Sequence, residues 1–475
     1  MQTYGMPQGR CQFGVVTGDI TPPVGIYSRM WGAAAHDRAE SVHRPALATA
    51  VAFGPVDGDG IAGAHLIVAL DMCVLGRDEL QPMLAAIEQQ SGIGDVSVVC
   101  SHTHGVGLMG PDRHDKPGGD LIAPHVERIT AVVGELAQSA REAMQPVTVC
   151  YAAGHCDLAR TRDYFDQDAG EHVCGFDPTG SPDDTVMVAK VHGDGGEVVA
   201  TVVNYACHPT TLAWDSRALS PDYVGAMRET VQARYPAPCL FLQGASGDLG
   251  PRDGFVGDPA VADRNGHWLG YAALTALEST LPPQHELSYA GGVASGTTIG
   301  VWKTSELPTD RQRKVAAFGG RRWTFDAPYR DGMPSRAEAE AALARSLDDE
   351  GRAGSDEERH ERRAMVERAT RLLSRVAALP DGARFPLQLH AWTVGEAVWL
   401  MVQGEPYHWL QTELRRRLAP RPLLLSTIAA DWGASYLPPE NLYDKGIYQE
   451  SIAVLAPGTL EALVDHVSQQ LAALA

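Results

Sequence analysis

Short apolar runs rich in Val and Ile alternate along this chain with longer segments in which apolar residues recur every three or four positions. The short runs are typical of buried strands, and the longer spacing is typical of helices that bury one face. The pattern predicts strands over His65–Leu70, Val96–Cys100, 147–152, 186–191, Val198–Tyr205 and 240–242, and helices over 124–144, 224–235 and 268–277. This alternation predicts an α/β fold with central mixed or mainly parallel sheets flanked by helices.

A segment of different composition interrupts the second half of the chain. Residues 307–382 are rich in Arg, Glu, Asp and Ala, and Met365, Ala369, Leu372 and Val376 fall on one helical face. The segment is therefore predicted to be a charged helical insertion with a solvated outer face. After it the pattern predicts a hairpin over 385–393 and Ala397–Val402, a helix over 407–418, a strand over 423–429 and a terminal helix over 460–474.

The charge balance narrows the class of partner. The 475 residues include 39 Lys and Arg against 59 Asp and Glu, which gives a formal net charge of −20. Such a surface repels phosphate backbones and anionic lipid, so neither a nucleic-acid partner nor a membrane partner is expected. The sequence shows no signal-peptide pattern and no C-x-x-C spacing, which predicts a cytoplasmic chain with reduced thiols. A homo-oligomer is left open.

Polar clusters follow the predicted strands at their carboxyl ends. They lie at 101–105, 204–209, 243–251, 403–405 and 431–439. Open α/β sheets bind their ligands at this edge, so we expect these loops to share one rim.

Three of these loops contain candidate metal ligands. His102 and His104 form an H-x-H pair, and the distant His208 and Glu405 complete a set of nitrogen and oxygen donors that suits zinc. Spacing alone is better explained by hydrogen-bonded loop histidines, and Glu405 alone by a carboxylate at a helix N-terminus.

Taken together, the loops resemble the catalytic domain of the neutral (alkaline, non-lysosomal) ceramidases. The resemblance is carried, in this order along the chain, by His102-Thr103-His104, Cys207-His208, Gly247-Asp248-Leu249-Gly250-Pro251, Gly404-Glu405 and Tyr436. It implies a Zn²⁺ ion held by His102, His208, Glu405 and Tyr436, with His104 beside it as a polar partner for the substrate or for a developing oxyanion. It also implies a single catalytic domain over 1–475, with 307–382 inserted in it and without the family's C-terminal immunoglobulin-like domain.

The sequence departs from the family at the nucleophile. The family's serine position is Gly250 here, and glycine has no hydroxyl. The resemblance therefore implies a zinc-dependent hydrolase that cleaves an amide (N-acyl) bond of a small soluble substrate with metal-activated water. Ser246, four residues earlier, is an alternative nucleophile that the sequence leaves open.

Further residues are assigned to the substrate. Donors to the oxyanion are expected from His104, from the backbone amides of 247–250, or from an arginine, and spacing does not decide between Arg160 and Arg162. Asp248 is assigned either to the turn or to the metal's water. Ser246, Gly247 and Gly250 are expected beside the substrate. His36 and Asp37 lie in a surface loop that either lines the pocket or forms a structural salt bridge.

Other functions use the same set of residues. A metal-dependent esterase, a lactonase or a cyclic-amide hydrolase would need the same water and the same oxyanion donors. The missing serine also leaves open a catalytically inactive homologue that keeps the metal.

Overall fold

The computed structural model describes residues 2–58 and 62–473. Its largest sheet consists, in chain order, of β1 (Gln8–Asp19), β2 (Leu47–Gly54), β3 (His65–Leu70), β4 (Val96–Cys100), β5 (Gln145–His155), β6 (Thr185–Gly193), β7 (Val198–Tyr205) and β8 (Cys239–Gln243). Their order across the sheet is β8-β7-β6-β5-β1-β2-β3-β4. The pairs β7–β8 and β3–β4 are parallel and the other neighbours are antiparallel, so the sheet is mixed.

A smaller sheet packs against the inner face of the first. It contains β9 (Phe318–Pro328), β10 (Arg384–Val394), β11 (Ala397–Val402) and β12 (Leu423–Ser426), in that order. The inner faces of the two sheets meet in a buried core that includes Phe53, Tyr151, Trp392 and Trp399. The rings of Phe53 and Trp392 lie 5.2 Å apart.

Helices cover the outer faces of both sheets. In chain order they are α1 (Arg77–Ser91), α2 (Ile122–Glu142), α3 (Tyr223–Arg234), α4 (Pro259–Glu278), α5 (Thr309–Val315), α6 (Arg336–Gly351), α7 (Asp356–Ala378), α8 (Trp409–Leu418), α9 (Tyr448–Ile452) and α10 (Thr459–Ala472). α1 and α2 share a core with one half of the large sheet, and α3 and α4 share another with the other half. α8 and α10 pack on the small sheet. The layers therefore run helix, sheet, sheet, helix, and the predicted α/β class is confirmed.

The two edge strands of the large sheet are brought together by the segment that follows β12. Thr427 N donates to Gln243 O of β8 at 2.8 Å, whereas Ala430 N donates to Val98 O of β4 at 2.9 Å. Because this segment bonds to both edges, the loops that follow β4, β7 and β8 meet at one place. The sheet's curvature thus assembles the site.

The charged segment 307–382 is only partly helical. It contains the helices α5, α6 and α7, but Phe318–Pro328 is strand β9, paired along its length with β10. The helical prediction is wrong there because Trp323 and Phe325, which alternate with polar residues, pack on the core of the small sheet. On α7 the buried apolar positions are Val366 and Ala369, while Met365 is 53% exposed.

Shorter strands pair outside these two sheets. They are Thr3–Tyr4 with His285–Ala294 and Thr298–Glu306, Ser41–Val42 with Ala218–Leu219, Ala159–Thr161 with Leu249–Pro251, Asp163–Asp166 with Glu171–Cys174, and Glu405–Pro406 with Tyr436–Leu437. No helix within the described ranges combines the length and the apolar composition needed to cross a bilayer.

Candidate metal centre

His102 stands two residues after the end of β4, where the backbone turns out of the sheet. Its φ is 68°, a left-handed conformation that typically costs a non-glycine residue about 1–3 kcal/mol. The amide of His102 donates to Met72 O at 2.9 Å, and its Nδ1 lies 2.7 Å from Cys73 O. A carbonyl only accepts, so Nδ1 carries a proton. Nε2 of the neutral ring therefore presents a lone pair to the site.

His208 follows β7 and reaches the same point from the opposite half of the sheet. Its Nδ1 lies 2.6 Å from Ser246 O and 3.1 Å from Leu249 O, which fixes the same tautomer. Its Nε2 lies 3.1 Å from Nε2 of His102. Two imidazoles whose Nδ1 atoms both donate to carbonyls thus point their Nε2 lone pairs at each other.

Glu405 and Tyr436 complete the cluster from a pair of short parallel strands. Glu405 Oε2 lies 3.0 Å from His102 Nε2 and 3.1 Å from His208 Nε2. The Tyr436 hydroxyl lies 3.2 Å from His208 Nε2. The indole N–H of Trp432 donates to the other carboxylate oxygen of Glu405 and holds it in place.

These donors fit a zinc ion in both spacing and charge. Bonds of about 2.0–2.1 Å in a tetrahedral site place ligand atoms about 3.3–3.4 Å apart, close to the separations seen here. The side chains of His102, His208 and Glu405 are buried, and their ligand atoms lie within 4.8 Å of one another. Converging lone pairs beside a buried carboxylate repel one another unless a positive charge lies between them. The set is therefore suited to a cation.

The pKa shifts of the cluster also indicate that its carboxylate is stabilised by positive charge. Burial disfavours ionised Glu405, but His102 outweighs it and the pKa of Glu405 is held well below its usual range. Burial likewise disfavours protonated His102, but Glu405 raises the pKa of His102 well above its usual range. His208 behaves differently, because burial and the Arg162 guanidinium lower its pKa to about 3.

Arg162 supports the tyrosine, and Arg160 does not reach the site. Arg162 Nη2 donates to the Tyr436 hydroxyl at 3.0 Å and to Gly247 O at 2.8 Å. Burial raises the pKa of Tyr436 well above its usual range, and Arg162 opposes that shift. Arg160 instead pairs with Asp157 and donates to Ala159 O at 2.9 Å. Of the two predicted arginines, the structure brings only Arg162 to the cluster.

His104 lies beside the cluster without a fixed partner. Its ring is 5.0 Å from that of His102 and 5.4 Å from that of Trp31. Neither ring nitrogen finds a hydrogen-bond partner among the described residues. Burial, followed by the two neighbouring histidines, holds the pKa of His104 well below its usual range. A neutral imidazole thus stands next to the cluster with its polar atoms free.

The loop 243–251 supports the ligands more than it faces a substrate. Ser246 Oγ accepts from Gln243 Nε2 at 2.7 Å. The amide of Gly247 donates to Pro406 O at 2.9 Å, and that of Leu249 donates to Ser246 O at 3.0 Å, so neither is free for an oxyanion. Asp248 binds the amide and ring of His408 at the start of α8 and makes no contact with the ligand set in the described chain.

Gly250 leaves open space at the family's serine position. A Cβ built there would lie 3.8 Å from Arg162 Cδ and 3.9 Å from Thr210 Oγ1, which are ordinary contacts. A side chain is therefore absent from this position without being excluded by its neighbours.

His36 lies near His104, whereas Asp37 is directed towards the insertion. His36 and His104 both line a small cavity of 20 Å³ that includes Trp31. Asp37 instead pairs with Arg363 of α7 and lies 3.9 Å from Arg29. Its carboxylate therefore fastens the insertion to the loop and does not face the ligand set.

Three supporting features were missed by the sequence reasoning. Cys73 acts through its carbonyl oxygen, which any residue could supply, so the sequence carries no signal for it. Trp432 lies in the aromatic loop before Tyr436, where an indole N–H is a plausible donor to a carboxylate. Arg371 and Arg375 follow the buried Glu367 at i+4 spacing on α7, a pattern that marks one shared face.

A second histidine–carboxylate cluster lies at the start of β4. His65 Nδ1 is 2.6 Å from Asp95 Oδ2, and His390 Nε2 is 3.1 Å from Asp95 Oδ1. Arg322 is 3.3 Å from the same carboxylate. This cluster already contains a fixed cation.

The comparisons with known proteins bear on the fold. No protein-family model matches the chain, and no curated protein sequence does. Among solved structures, a ceramidase complexed with C2 superposes with a TM-score of 0.66 at 14% identity, covering 97% of this chain and 74% of that one. The neutral ceramidase from Pseudomonas aeruginosa gives a TM-score of 0.64 at 14% identity, covering 98% and 74%. The chain therefore has the fold of the neutral ceramidases along nearly its whole length.

Proposed function

We propose that this chain is a zinc-dependent hydrolase that cleaves an amide (N-acyl) bond of a small soluble substrate with metal-activated water. The observation that carries the proposal is the convergence of the His102 and His208 Nε2 atoms on the Glu405 carboxylate. The reaction class is supported by the shared fold with proteins named ceramidases, whose substrate is an amide.

The protein's own groups would hold and tune the ion. His102, His208, Glu405 and Tyr436 would be its ligands, and the carbonyls of Cys73 and Ser246 fix the two imidazoles in the tautomer that ligation needs. When bound, zinc lowers the pKa of a coordinated water from about 15.7 to about 7 and polarises a carbonyl.

Two neighbours prepare the oxygen ligands. Trp432 donates to Glu405 and so fixes which carboxylate oxygen faces the histidines. Arg162 donates to the Tyr436 hydroxyl, which favours the phenolate that a metal requires. Such supporting partners typically change metal affinity or activity by about 10–100-fold.

His104 is the proposed partner for the oxyanion. A neutral imidazole whose ring nitrogens have no hydrogen-bond partner in the described part of the chain can donate from one nitrogen to the carbonyl oxygen as charge develops on it. Removing one such donor typically raises the barrier by about 2.7–4 kcal/mol.

A water nucleophile fits better than a serine. Gly250 has no hydroxyl, and the Ser246 hydroxyl is buried and engaged by Gln243. In addition, the carbonyl of Ser246 holds His208, so moving this residue towards a substrate would disturb a ligand.

The proposal is tested by loading the protein with zinc and screening matched amide and ester pairs. Hydrolysis of the amide that is lost on chelation and restored by zinc supports it. Turnover of the ester alone would replace it with a metal-dependent esterase or lactonase. Because Gly250 lacks the hydroxyl, an inactive metal-binding homologue is the other candidate, and stoichiometric zinc without any turnover would establish that reading.

A further inference from the structure

The helix α7 of the charged insertion lies against the loops that surround the metal centre. Its Glu367 is paired with the buried Arg113 at 2.9 Å, and its Arg363 pairs with Asp37. Ser374 donates to Asp112 at 2.9 Å, and a Cβ at Gly32 would lie 3.1 Å from Ala364 Cβ. These contacts fix α7 in register against the loops 28–37 and 111–113.

The face of α7 that turns towards the site carries two arginines one helical turn apart. Arg371 is fully engaged, since its Nε donates to Glu367 at 2.8 Å and its Nη2 donates to Met30 O. Arg375 is not. In the part of the chain that is described, Arg375 forms no ion pair, and its buried Nε finds no hydrogen-bond partner.

Arg375 is placed next to the ligand set. Its guanidinium carbon lies 5.5 Å from the centre of the Trp432 ring, whose N–H holds Glu405. Arg375 is also within electrostatic range of Tyr448, Tyr436 and Glu405, and burial lowers its pKa to about 10, so it is charged at neutral pH. The ring of Tyr448, which is 43% exposed, lies 6.0 Å from that of Tyr436. A half-buried cation without an ion-pair partner among the described residues therefore lies beside the metal centre, next to the partly exposed Tyr448.

An aromatic cluster lies next to His104. Trp31 lies between His104 and an aromatic pair, with ring distances of 6.1 Å to Trp214 and 5.7 Å to Phe255. Trp214 and Phe255 are stacked at 6.3 Å. The ligand set thus has a cation beside Trp432 and an aromatic cluster beside His104.

We propose that the substrate is an amide that carries a carboxylate, of the N-acyl amino acid class, and that Arg375 binds this carboxylate. This inference rests on the proposed function and names the substrate class of the same site. A planar guanidinium matches a carboxylate with two parallel N–H···O bonds. In a chain with a net charge of −20, an anionic substrate needs such a local cation to approach the site. The apolar part of the substrate would pack against Trp31, Trp214 and Phe255.

The test compares N-acetyl-L-leucine with its neutral carboxamide on the zinc-loaded protein. We expect kcat/KM to be higher for the acid, and Arg375→Gln to lower it by about 10–100-fold for the acid while changing that of the carboxamide little. Arg375→Lys should keep part of the preference, because lysine keeps the positive charge but cannot form the two parallel N–H···O bonds of a guanidinium. Arg368→Gln, an exposed position on the same helix, is the control and should leave both unchanged.

Binding of the same two compounds is measured by titration calorimetry, so that the two proposals fail separately. No turnover of any amide would reject the proposed function, while tighter binding of the acid that Arg375→Gln abolishes would still support the anion site. Equal binding of acid and carboxamide, or a preference that survives Arg375→Gln in a folded protein with full zinc content, would overturn the inference.

Discussion

Within residues 2–58 and 62–473, two clusters combine two histidines with one carboxylate, and they differ in how their charge is balanced. At His102, His208 and Glu405 both imidazoles donate from Nδ1 to backbone carbonyls and aim their lone pairs inward. At His65, Asp95 and His390 the histidines contact different oxygens of Asp95, and Arg322 lies 3.3 Å from it.

The difference separates a ligand set from a structural ion pair. In the second cluster the carboxylate already has a permanent cation, and His390 Nδ1 is 2.8 Å from the Ser97 hydroxyl, which can donate or accept, so its tautomer is not fixed. In the first cluster no arginine or lysine among the described residues forms an ion pair with Glu405, whose ion-pair partners are His102 and His208, so a proton or a metal must supply the charge between the ligand atoms. Residue types alone do not distinguish the two, whereas tautomer and charge balance do.

The largest effect is expected from removing a ligand of the first cluster. His208→Ala and Glu405→Ala should each abolish both zinc binding and hydrolysis. Either change leaves only three ligands, and the remaining buried groups lose the partner that balanced their charge. Metal content after dialysis, measured by mass spectrometry, is the readout. Asp95→Asn is the matched control and should keep its zinc. Zinc lost from Asp95→Asn but retained by Glu405→Ala would reverse the comparison.

Arg162→Gln is expected to have the next largest effect. Removing the donor to Tyr436 raises the cost of forming the phenolate, so zinc affinity or kcat/KM should fall by about 10–100-fold. Arg160→Gln, which breaks only the pair with Asp157, should change either quantity little. Competition with a calibrated chelator measures the affinity. Equal losses in the two variants would show that Tyr436 needs no support from Arg162.

The second cluster should act on stability, with a defined pH dependence. Burial opposes ionisation of Asp95, but His390 and His65 outweigh it and hold the pKa of Asp95 well below its usual range. Unfolded Asp takes up a proton near pH 3.9 and the folded one does not, so its contribution is present above about pH 4 and is lost as pH falls through the folded pKa.

Asp95→Asn should therefore lower the free energy of unfolding near neutral pH by about 1–2 kcal/mol, because the carboxylate is partly exposed and screened. Urea unfolding at a series of pH values measures this, and the difference from wild type should shrink in acid. A difference that grows as pH falls would contradict the account.

The smallest effects are expected at Ser246 and Gly250, the two positions at which a serine nucleophile could have been located. Ser246→Ala should change kcat/KM by less than about fivefold, since among the described residues its hydroxyl bonds only to Gln243. Gly250→Ser should fold and bind zinc as wild type does, because its Cβ meets nothing nearer than 3.8 Å. Full loss of turnover in Ser246→Ala with zinc still bound would return serine to the mechanism.

Local pattern identified the strands that carry the site, but not the contacts that bring them together. Val96–Cys100 and Val198–Tyr205 are continuous apolar runs, and the bounds predicted for these two strands agree with the structure. β2 (Leu47–Gly54) was missed because its core is built from small residues, and α1 because Pro82 and polar positions obscure its period.

At the site, His102 and His208 were visible as strand-end histidines, but their tautomers depend on carbonyls of Cys73 and Ser246 that no side-chain pattern encodes. The role of Arg375 also depends on tertiary contacts that the sequence pattern does not show. The sequence predicts that the charge of the insertion lies on a solvated face, whereas the packing of α7 on the loops 28–37 and 111–113 turns Arg371 and Arg375 towards the site.

The most direct test of the central claim is anomalous scattering at the zinc edge from crystals grown without chelators. The account predicts one peak about 2.0–2.2 Å from the Nε2 atoms of His102 and His208 and from a carboxylate oxygen of Glu405, and none at Asp95. A peak at Asp95 instead, or an empty first cluster in a protein that still hydrolyses an amide after exhaustive chelation, would contradict it.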